Sequence, residues 1–421
     1  MKKSVSIITL GCKVNQYESL GIADLLKKKG YIVNIGLIKA DIFVLNTCAV
    51  TNESERKSRG LIAKVKKLNP KADIYVCGCS AQNNPDKFLE REGVRGVCGT
   101  SDKTRIVKMI EQGTTNDVDI SIIPKYDEVY KPIKNRTRCY IKIQDGCNNF
   151  CSYCIIPYLR GRERSRSLDE IKKEIDSLES ETKEVILTGI NMSGYGSENG
   201  YKETLADVVK LFENRSVRFR ISSLEAKIIT HEFLQILSKM ANFCPHFHLS
   251  MQSGSNKVLR DMNRHYTKEE FLDKVKLIRQ YFPNAGITTD VIVGFATETE
   301  ECFEETMVTV KKAAFSEMHI FPYSPRNGTI ALKLKSVAKD VPCRVKKLTQ
   351  LASVMKEDFI KSNIGLTHEV LIEERVGDEF VGHTKNYIKC YLPYSEKVQT
   401  DTIVDVKITE VYSDGAKAVF I

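Results

Sequence analysis

Thirteen cysteines occur in this 421-residue chain, and two groups of three carry the chemistry. Cys147, Cys151 and Cys154 fall together in Asp-Gly-Cys-Asn-Asn-Phe-Cys-Ser-Tyr-Cys. Three thiolates on one loop suit an iron–sulfur cluster or a zinc ion. A structural zinc wants four protein ligands and no fourth cysteine is adjacent, which favours a cluster with one iron left open. Cys12, Cys48 and Cys79 are dispersed, but each follows an apolar run: Gly-Cys-Lys-Val-Asn-Gln, Asn-Thr-Cys-Ala-Val-Thr and Cys-Gly-Cys-Ser-Ala-Gln. Thiols at the carboxyl ends of three parallel strands can converge in the crevice where such sheets bind ligands. The plain alternative is three unrelated strand-end thiols. Cys77 reads as strand packing, and Cys98, Cys139, Cys244, Cys302, Cys343 and Cys390 stand alone as structural thiols. An odd number of cysteines in a chain this long is not a disulfide framework.

These residues need elements to hold them. Residues 4–10 read as a strand, 16–29 and 53–68 as helices, and 31–37, 42–46 and 73–77 as further strands, an alternation that implies a Rossmann-like α/β domain over 1–115. Polar residues with Pro124 and Pro132 mark 116–135 as a linker. Over 136–358, strands are expected at 139–144, 184–190, 218–223, 246–250, 287–294 and 317–322. Helices are expected at 167–180, 202–213, 229–241, 267–281 and 297–313. Six strand–helix units fall short of the ~250 residues of a full eight-stranded barrel, so a partial (β/α)6 barrel fits better. The cysteine loop then lies at the carboxyl end of its first strand, where barrel active sites form. In 359–421, Val404, Val406 and Ile408 alternate with Asp405, Lys407 and Thr409, the pattern of a small β-barrel.

The hydrophobic share is 42% and the charged share 28%, ordinary values that exclude wholesale disorder. No apolar run approaches the ~20 residues of a membrane span, and the start carries no signal-peptide pattern, so a cytoplasmic protein with no membrane partner is expected. Net charge is +10. Residues 358–421 hold 7 basic and 11 acidic residues, so the rest of the chain carries the excess, concentrated in 131–170 and 331–350. Clustered positive charge suits a polyanion.

Cys-x3-Cys-x2-Cys after the first strand of a partial barrel resembles the radical S-adenosylmethionine superfamily. The flanking Gln-Asp-Gly-Cys-Asn-Asn-Phe-Cys-Ser-Tyr-Cys-Ile-Ile-Pro (144–157), Arg-Gly-Arg-Glu-Arg-Ser-Arg (160–166), Leu-Thr-Gly-Ile-Asn (187–191), Leu-Ser-Met-Gln-Ser-Gly-Ser (249–255) and Pro-Tyr-Ser-Pro-Arg-Asn-Gly-Thr (322–329) resemble its methylthiotransferase family. The likeness covers all three expected domains. Gly-Cys-Lys-Val-Asn-Gln-Tyr-Glu-Ser (11–19) is most similar to the branch acting on threonylcarbamoyl-adenosine at position 37 of tRNA. The resemblance implies two [4Fe–4S] clusters, one on Cys147, Cys151 and Cys154 binding S-adenosylmethionine, the other on Cys12, Cys48 and Cys79 carrying the sulfur. Reductive cleavage of S-adenosylmethionine would give a radical that takes hydrogen from C2 of adenine, a bond inert to acid–base chemistry. It also implies a low-potential electron donor, a sulfur source and the tRNA anticodon arm as partners.

Thr188, Gly189, Ser222, Ser223, Gly294 and Phe295 end strands at the same mouth and are candidates for S-adenosylmethionine contact. Arg160, Arg162, Arg164 and Arg166 follow the cluster loop and are candidates for phosphate or S-adenosylmethionine contact, the plain alternative being a solvated charge run. His246 and His248 read as core or rim histidines. The tail resembles the RNA-binding TRAM barrel of the family, with Lys385, Tyr387 and Lys389 as its candidate RNA patch. One departure stands out: Gly-Phe-Ala-Thr-Glu (294–298) replaces the family's Gly-Phe-Pro-Gly-Glu, which puts adenine contacts there in doubt. Rival readings are a methylthiotransferase for isopentenyl-adenosine tRNA or a ribosomal protein, and a non-catalytic RNA-binding protein with structural metal.

Overall fold

The computed structural model describes residues 2–101, 103–113, 117–120, 137–178, 182–198 and 200–421. Six strands, β1 (Ser4–Thr9), β2 (Ile32–Ile35), β3 (Ile42–Thr47), β4 (Asp73–Gly78), β5 (Val94–Cys98) and β6 (Asp117–Asp119), form one parallel sheet in the order β2-β1-β3-β4-β5-β6. Every residue of β3 is buried, as expected of a central strand covered by helices on both faces. Helix Asn52–Leu68 starts where Thr51 and Ser54 close a capping box, with Glu53 and Glu55 in its first turn and Lys66 and Lys67 in its last. The chain leaves β1 towards β2 on one side and passes to β3 on the other, so the switch point of the sheet lies between β1 and β3. Strands β5 and β6 and the helix Thr104–Gln112 were not anticipated from the sequence. Most of the expected linker lies outside the described residues, and its first residues pair as β6.

The second unit holds β7 (Arg138–Lys142), a short hairpin of β8 (Gln144–Asp145) and β9 (Arg164–Ser165), then β10 (Glu184–Thr188), β11 (Arg218–Ile221), β12 (Ser223–Leu224), β13 (His246–Leu249), β14 (Gly286–Val293) and β15 (Glu317–Pro322). Parallel pairing runs β7-β10-β11 and β12-β13-β14-β15. The break at Ser222 is spanned by a Phe219–Phe243 bridge, giving the expected open six-strand barrel. Val185, Leu187, Phe219, Ile221, Phe247 and Leu249 point outward into the core shared with the helices. By strand alternation, Glu184, Thr188, Arg220, Ser222, His246, His248 and Asp290 turn into the bore.

Helix Val341–Lys361 was not anticipated either. Its Leu348 packs in the barrel core and its Ile360 in the core of the tail. The tail itself is a closed barrel of β16 (Thr367–Val376), β17 (Glu379–Thr384), β18 (Lys389–Pro393), β19 (Ile403–Tyr412) and β20 (Gly415–Phe420). Among the described residues, no helix is long and apolar enough to cross a membrane.

Candidate active site

A cavity of about 600 Å³ lies where the first sheet meets the barrel mouth. Cys12, Cys48 and Cys79 line it from above, Cys154 and Tyr153 from the side, and Thr188, Gly189, Ser222, Ser223, His248 and Asp290 from the barrel. A larger cleft of about 860 Å³ runs along Lys227, Arg264 and Lys274 but holds none of the six cysteines, so the chemistry belongs to the smaller one.

Sheet topology explains why the dispersed thiols converge. Cys12 leads into helix Lys13–Lys28 after β1, Cys48 follows β3, and Cys79 opens helix Cys79–Asn83 after β4. All three sit at carboxyl ends beside the switch point. They are near enough that Cys12 and Cys48 each feel the charge of Cys79. Gly11, in the left-handed region at φ +98, brings the chain so close that an added Cβ would lie 2.9 Å from the Cys48 sulfur. The second group repeats the device: Gly146, at φ +72, leaves no room for a Cβ, which would lie 1.9 Å from the Arg162 carbonyl oxygen.

The donor set fits iron–sulfur clusters. Burial pushes the Cys147 thiol up to about 11 and the Cys154 thiol up to about 12, and neighbouring thiols add to the rise. Burial likewise raises Cys12 and Cys48. Such thiols give up their protons to a bound cation. Backbone N–H groups are already aimed at the sulfurs: Asn15 donates to Cys12, Val50 to Cys48, Asn149 to Cys147 and Ile156 to Cys154. Arg264 donates to the Cys151 sulfur at 3.4 Å. Hydrogen bonds to sulfur of this kind tune cluster potential. Cys77, Cys98, Cys139, Cys244, Cys302 and Cys390 are buried, as expected of packing thiols, whereas Cys343 is exposed and packs in no core.

The arginine run is corrected. Arg160, Arg164 and Arg166 are buried and bound to carboxylates, which removes them from phosphate. Arg160 donates to Glu18 at 3.0 Å, to Asp145 at 3.1 Å and to the Asn15 side chain at 2.8 Å. Lys103 and Lys142 also pair with Glu18, and Lys142 and Arg164 pair with Asp145. Burial alone pushes the Glu18 carboxyl up, but Arg160, Lys103 and Lys142 override it and hold the group well below the usual carboxylate range. Arg166 pairs with Glu174, which also accepts from the Tyr17 hydroxyl at 3.1 Å. These pairs clamp helix Lys13–Lys28 onto the barrel. Arg162 alone of the four is exposed, its guanidinium 4.3 Å from the Phe150 ring centre.

Gly294 and Phe295 are corrected as well. Neither lines the cavity: a Cβ on Gly294 would meet Val341, and Phe295 is fully buried beside Val258 and Met262. Glu298 closes this loop by accepting from the Gly294 N–H at 2.9 Å and from Arg344 at 2.7 Å. The altered loop therefore bears on packing against helix Val341–Lys361.

The tail patch faces inward. Tyr387 is stacked between His246 and His383, with ring centres 4.7 Å from each, and the Arg220 guanidinium lies 4.6 Å from its ring centre. Lys385 pairs with Glu369 and donates to the Ala241 carbonyl, and Lys389 pairs with Asp414. Lys385 and Tyr387 thus join the tail to the barrel, Lys389 is held within the tail, and the Tyr387 ring is not free to stack on a base. His246 is a core histidine, as expected. His248 is at the rim and belongs to a cluster the sequence did not disclose: its Nε2 lies 3.3 Å from Asp290, and His319 completes a trio whose ligand atoms lie within 4.8 Å of one another. Lys13 and Phe321 also line the cavity unforeseen. The trio's signal was present, because alternate residues of β13, β14 and β15 share a face, but it needed the strand register to be read.

An open six-strand parallel barrel with a three-thiol loop after its first strand defines a radical S-adenosylmethionine enzyme. The Radical SAM superfamily model matches residues 141–310, and the model described as uncharacterized protein family UPF0004 matches residues 4–99. The chain is 38% identical to threonylcarbamoyladenosine tRNA methylthiotransferase MtaB of Bacillus subtilis, over 98% of this chain and 96% of that one. It is 38% identical to the protein of that name in Aquifex aeolicus, over 88% and 93%. It is 34% identical to tRNA-2-methylthio-N(6)-dimethylallyladenosine synthase of Thermodesulfovibrio yellowstonii, over 97% of each. TsrM, a radical S-adenosylmethionine methyltransferase of Kitasatospora setae, shares the fold at TM-score 0.55 and 14% identity, over 77% of this chain and 74% of that one. The chain belongs to the radical S-adenosylmethionine tRNA methylthiotransferases, enzymes that use two [4Fe–4S] clusters and S-adenosylmethionine to transfer a sulfur-containing group.

Proposed function

We propose that this enzyme converts N6-threonylcarbamoyladenosine at position 37 of tRNA into its 2-methylthio derivative, in the cytoplasm, drawing on a low-potential electron donor and a sulfur source. The observation that carries the reading is one cavity lined by Cys12, Cys48 and Cys79 from the first sheet and by Cys154 from the barrel loop. Cys147, Cys151 and Cys154 hold one cluster and Cys12, Cys48 and Cys79 the other. When bound, the clusters and S-adenosylmethionine supply a radical that removes hydrogen from C2 and the sulfur that replaces it. Thr188, Gly189, Ser222 and Ser223 present hydroxyls and backbone at the strand ends for the methionine and ribose groups. Phe321, 44% exposed, offers an apolar face to the adenine. Arg162, beside the cluster loop, is the arginine left to meet phosphate. Both relatives named for threonylcarbamoyladenosine are more similar than the one named for dimethylallyladenosine.

Nucleoside analysis of tRNA from cells with and without the gene tests this. Loss of 2-methylthio-N6-threonylcarbamoyladenosine supports it. Loss of the dimethylallyl form instead, or unchanged tRNA, overturns it.

A further inference from the structure

The wall of the cavity that comes from the first domain carries one cation, Lys13, that no acidic side chain contacts directly. Lys13, next to Cys12, lines the cavity opposite His248, Asp290 and His319. Among the described residues, its ammonium makes no hydrogen bond and no ion pair within 4.0 Å. The other cations nearby are all matched: Arg160 and Lys142 by Glu18 and Asp145, and Arg138 and Arg220 by Glu184. Asp290, the acidic side chain of the cavity lining, faces His248 at 3.3 Å; its charge and that of Glu184 favour the Lys13 ammonium, but burial and the charges of Arg220 and Arg138 outweigh them. An unpaired ammonium in a partly desolvated chamber is costly unless an anion joins it.

We propose that Lys13 is the floor of a subsite for the free carboxylate of the amino-acid group on N6 of the substrate adenine, and thereby sets substrate choice. The inference rests on the threonylcarbamoyl reading above and deepens it. A threonine joined through a carbonyl to N6 ends in a carboxylate and a hydroxyl, whereas a dimethylallyl group carries no charge. On the adenine ring, C2 and C6 flank N1 along one edge. A group that takes the N6 substituent must therefore stand close to whatever delivers sulfur to C2. Lys13 meets that demand by covalent placement, one residue from Cys12. An ammonium–carboxylate hydrogen bond in such a site is strong and discriminates against neutral isosteres.

The test uses the holoenzyme and two anticodon stem-loops, one bearing N6-threonylcarbamoyladenosine and one bearing the same nucleoside with its carboxylate capped as a primary amide. Dissociation constants and single-turnover methylthiolation are measured for each. The wild-type enzyme should bind and turn over the acid at least about tenfold better than the amide. In Lys13→Met the two substrates should converge to within about twofold, through loss on the acid, and Lys13→Arg should restore the preference. Iron content, about eight per chain, is checked in each variant. No acid preference in the wild type, an undiminished preference in Lys13→Met, or equal losses on both substrates with reduced iron would each overturn the subsite. A wild-type enzyme active on dimethylallyl-adenosine and inert on the acid would instead overturn the substrate reading itself.

Discussion

Gly11 and Gly146 stand directly before Cys12 and Cys147 with a backbone that other residues rarely adopt. The two cysteine groups share this device, and the different roles proposed for them predict different variants. Replacing Cys147, Cys151 and Cys154 with Ala removes the group that must reduce S-adenosylmethionine. Formation of 5′-deoxyadenosine and tRNA modification should both vanish, with about four irons remaining. Replacing Cys12, Cys48 and Cys79 should leave 5′-deoxyadenosine formation while no sulfur reaches tRNA. A folded Cys12/Cys48/Cys79 variant that still methylthiolates tRNA at the normal rate sinks the two-cluster assignment. The convergence of Cys12, Cys48, Cys79 and Cys154 on one cavity was legible in the sequence, because covalent spacing or strand-end position marks them. The arginines that follow were not: the carboxylates that bury Arg160 include Glu18, 142 residues away, and no local pattern announces a partner at that distance.

At the scale of elements, the clamp between helix Lys13–Lys28 and the barrel depends on Glu18. Substitution Glu18→Gln keeps its shape and leaves Lys142 and Arg160 with Asp145 as their carboxylate and Lys103 with the Asn46 side-chain oxygen and no carboxylate. Removing one partner of a buried charge network costs ~3–5 kcal/mol, so denaturant unfolding should register a loss of that order. A loss below ~1 kcal/mol would mean that the network is solvated. Strand β16 is tied to β7 in a pH-dependent way. Burial pushes Glu373 up, but the hydrogen bond and charge of His383 and then the charge of Arg138 bring it down to about 2. An unfolded glutamate protonates near ~4.3. The stabilisation is therefore complete above that ordinary value and is lost as pH falls towards about 2. The stability difference between wild type and Glu373→Gln should be up to about 3 kcal/mol near neutrality, less what solvent screening removes, and shrink in acid; a difference independent of pH would contradict the tie. Strands and helices with clean periodicity were readable to within a few residues. Strand β6 was lost inside a polar stretch, and helix Val341–Lys361 was lost because its apolar residues are divided between two cores, which blurs any single stripe.

Across the whole molecule, three units close around one bore. The first sheet covers the carboxyl ends of the barrel strands. The segment His383–Tyr387 of the tail lies across the opposite ends, where Arg218 donates to the His383 carbonyl at 3.2 Å and Arg220 to the Lys385 carbonyl at 2.9 Å. Asn386 approaches β14 so closely that a Cβ on Gly286 would lie 2.2 Å from its carbonyl oxygen. The sequence suggested that this stretch grips RNA, since a tyrosine flanked by lysines on a small barrel reads that way. Only the assembled molecule shows that its ring is spent on His246, His383 and Arg220.

The stack at Tyr387 bears on how faithfully the enzyme spends its co-substrate. A carbon radical formed in the chamber has two fates, the intended hydrogen on the base or any weaker-held hydrogen or reductant that reaches it first. The Tyr387 stack narrows the lower end of the bore, and a narrowed end would hinder small thiols and reductants from arriving by the back door, a stopper's part for the tail. Tyr387→Ala should therefore leak: 5′-deoxyadenosine released per methylthiolated tRNA should rise several-fold above the wild-type ratio, most visibly when excess dithiothreitol is present. An unchanged ratio in a folded variant would mean that fidelity is guarded from above alone.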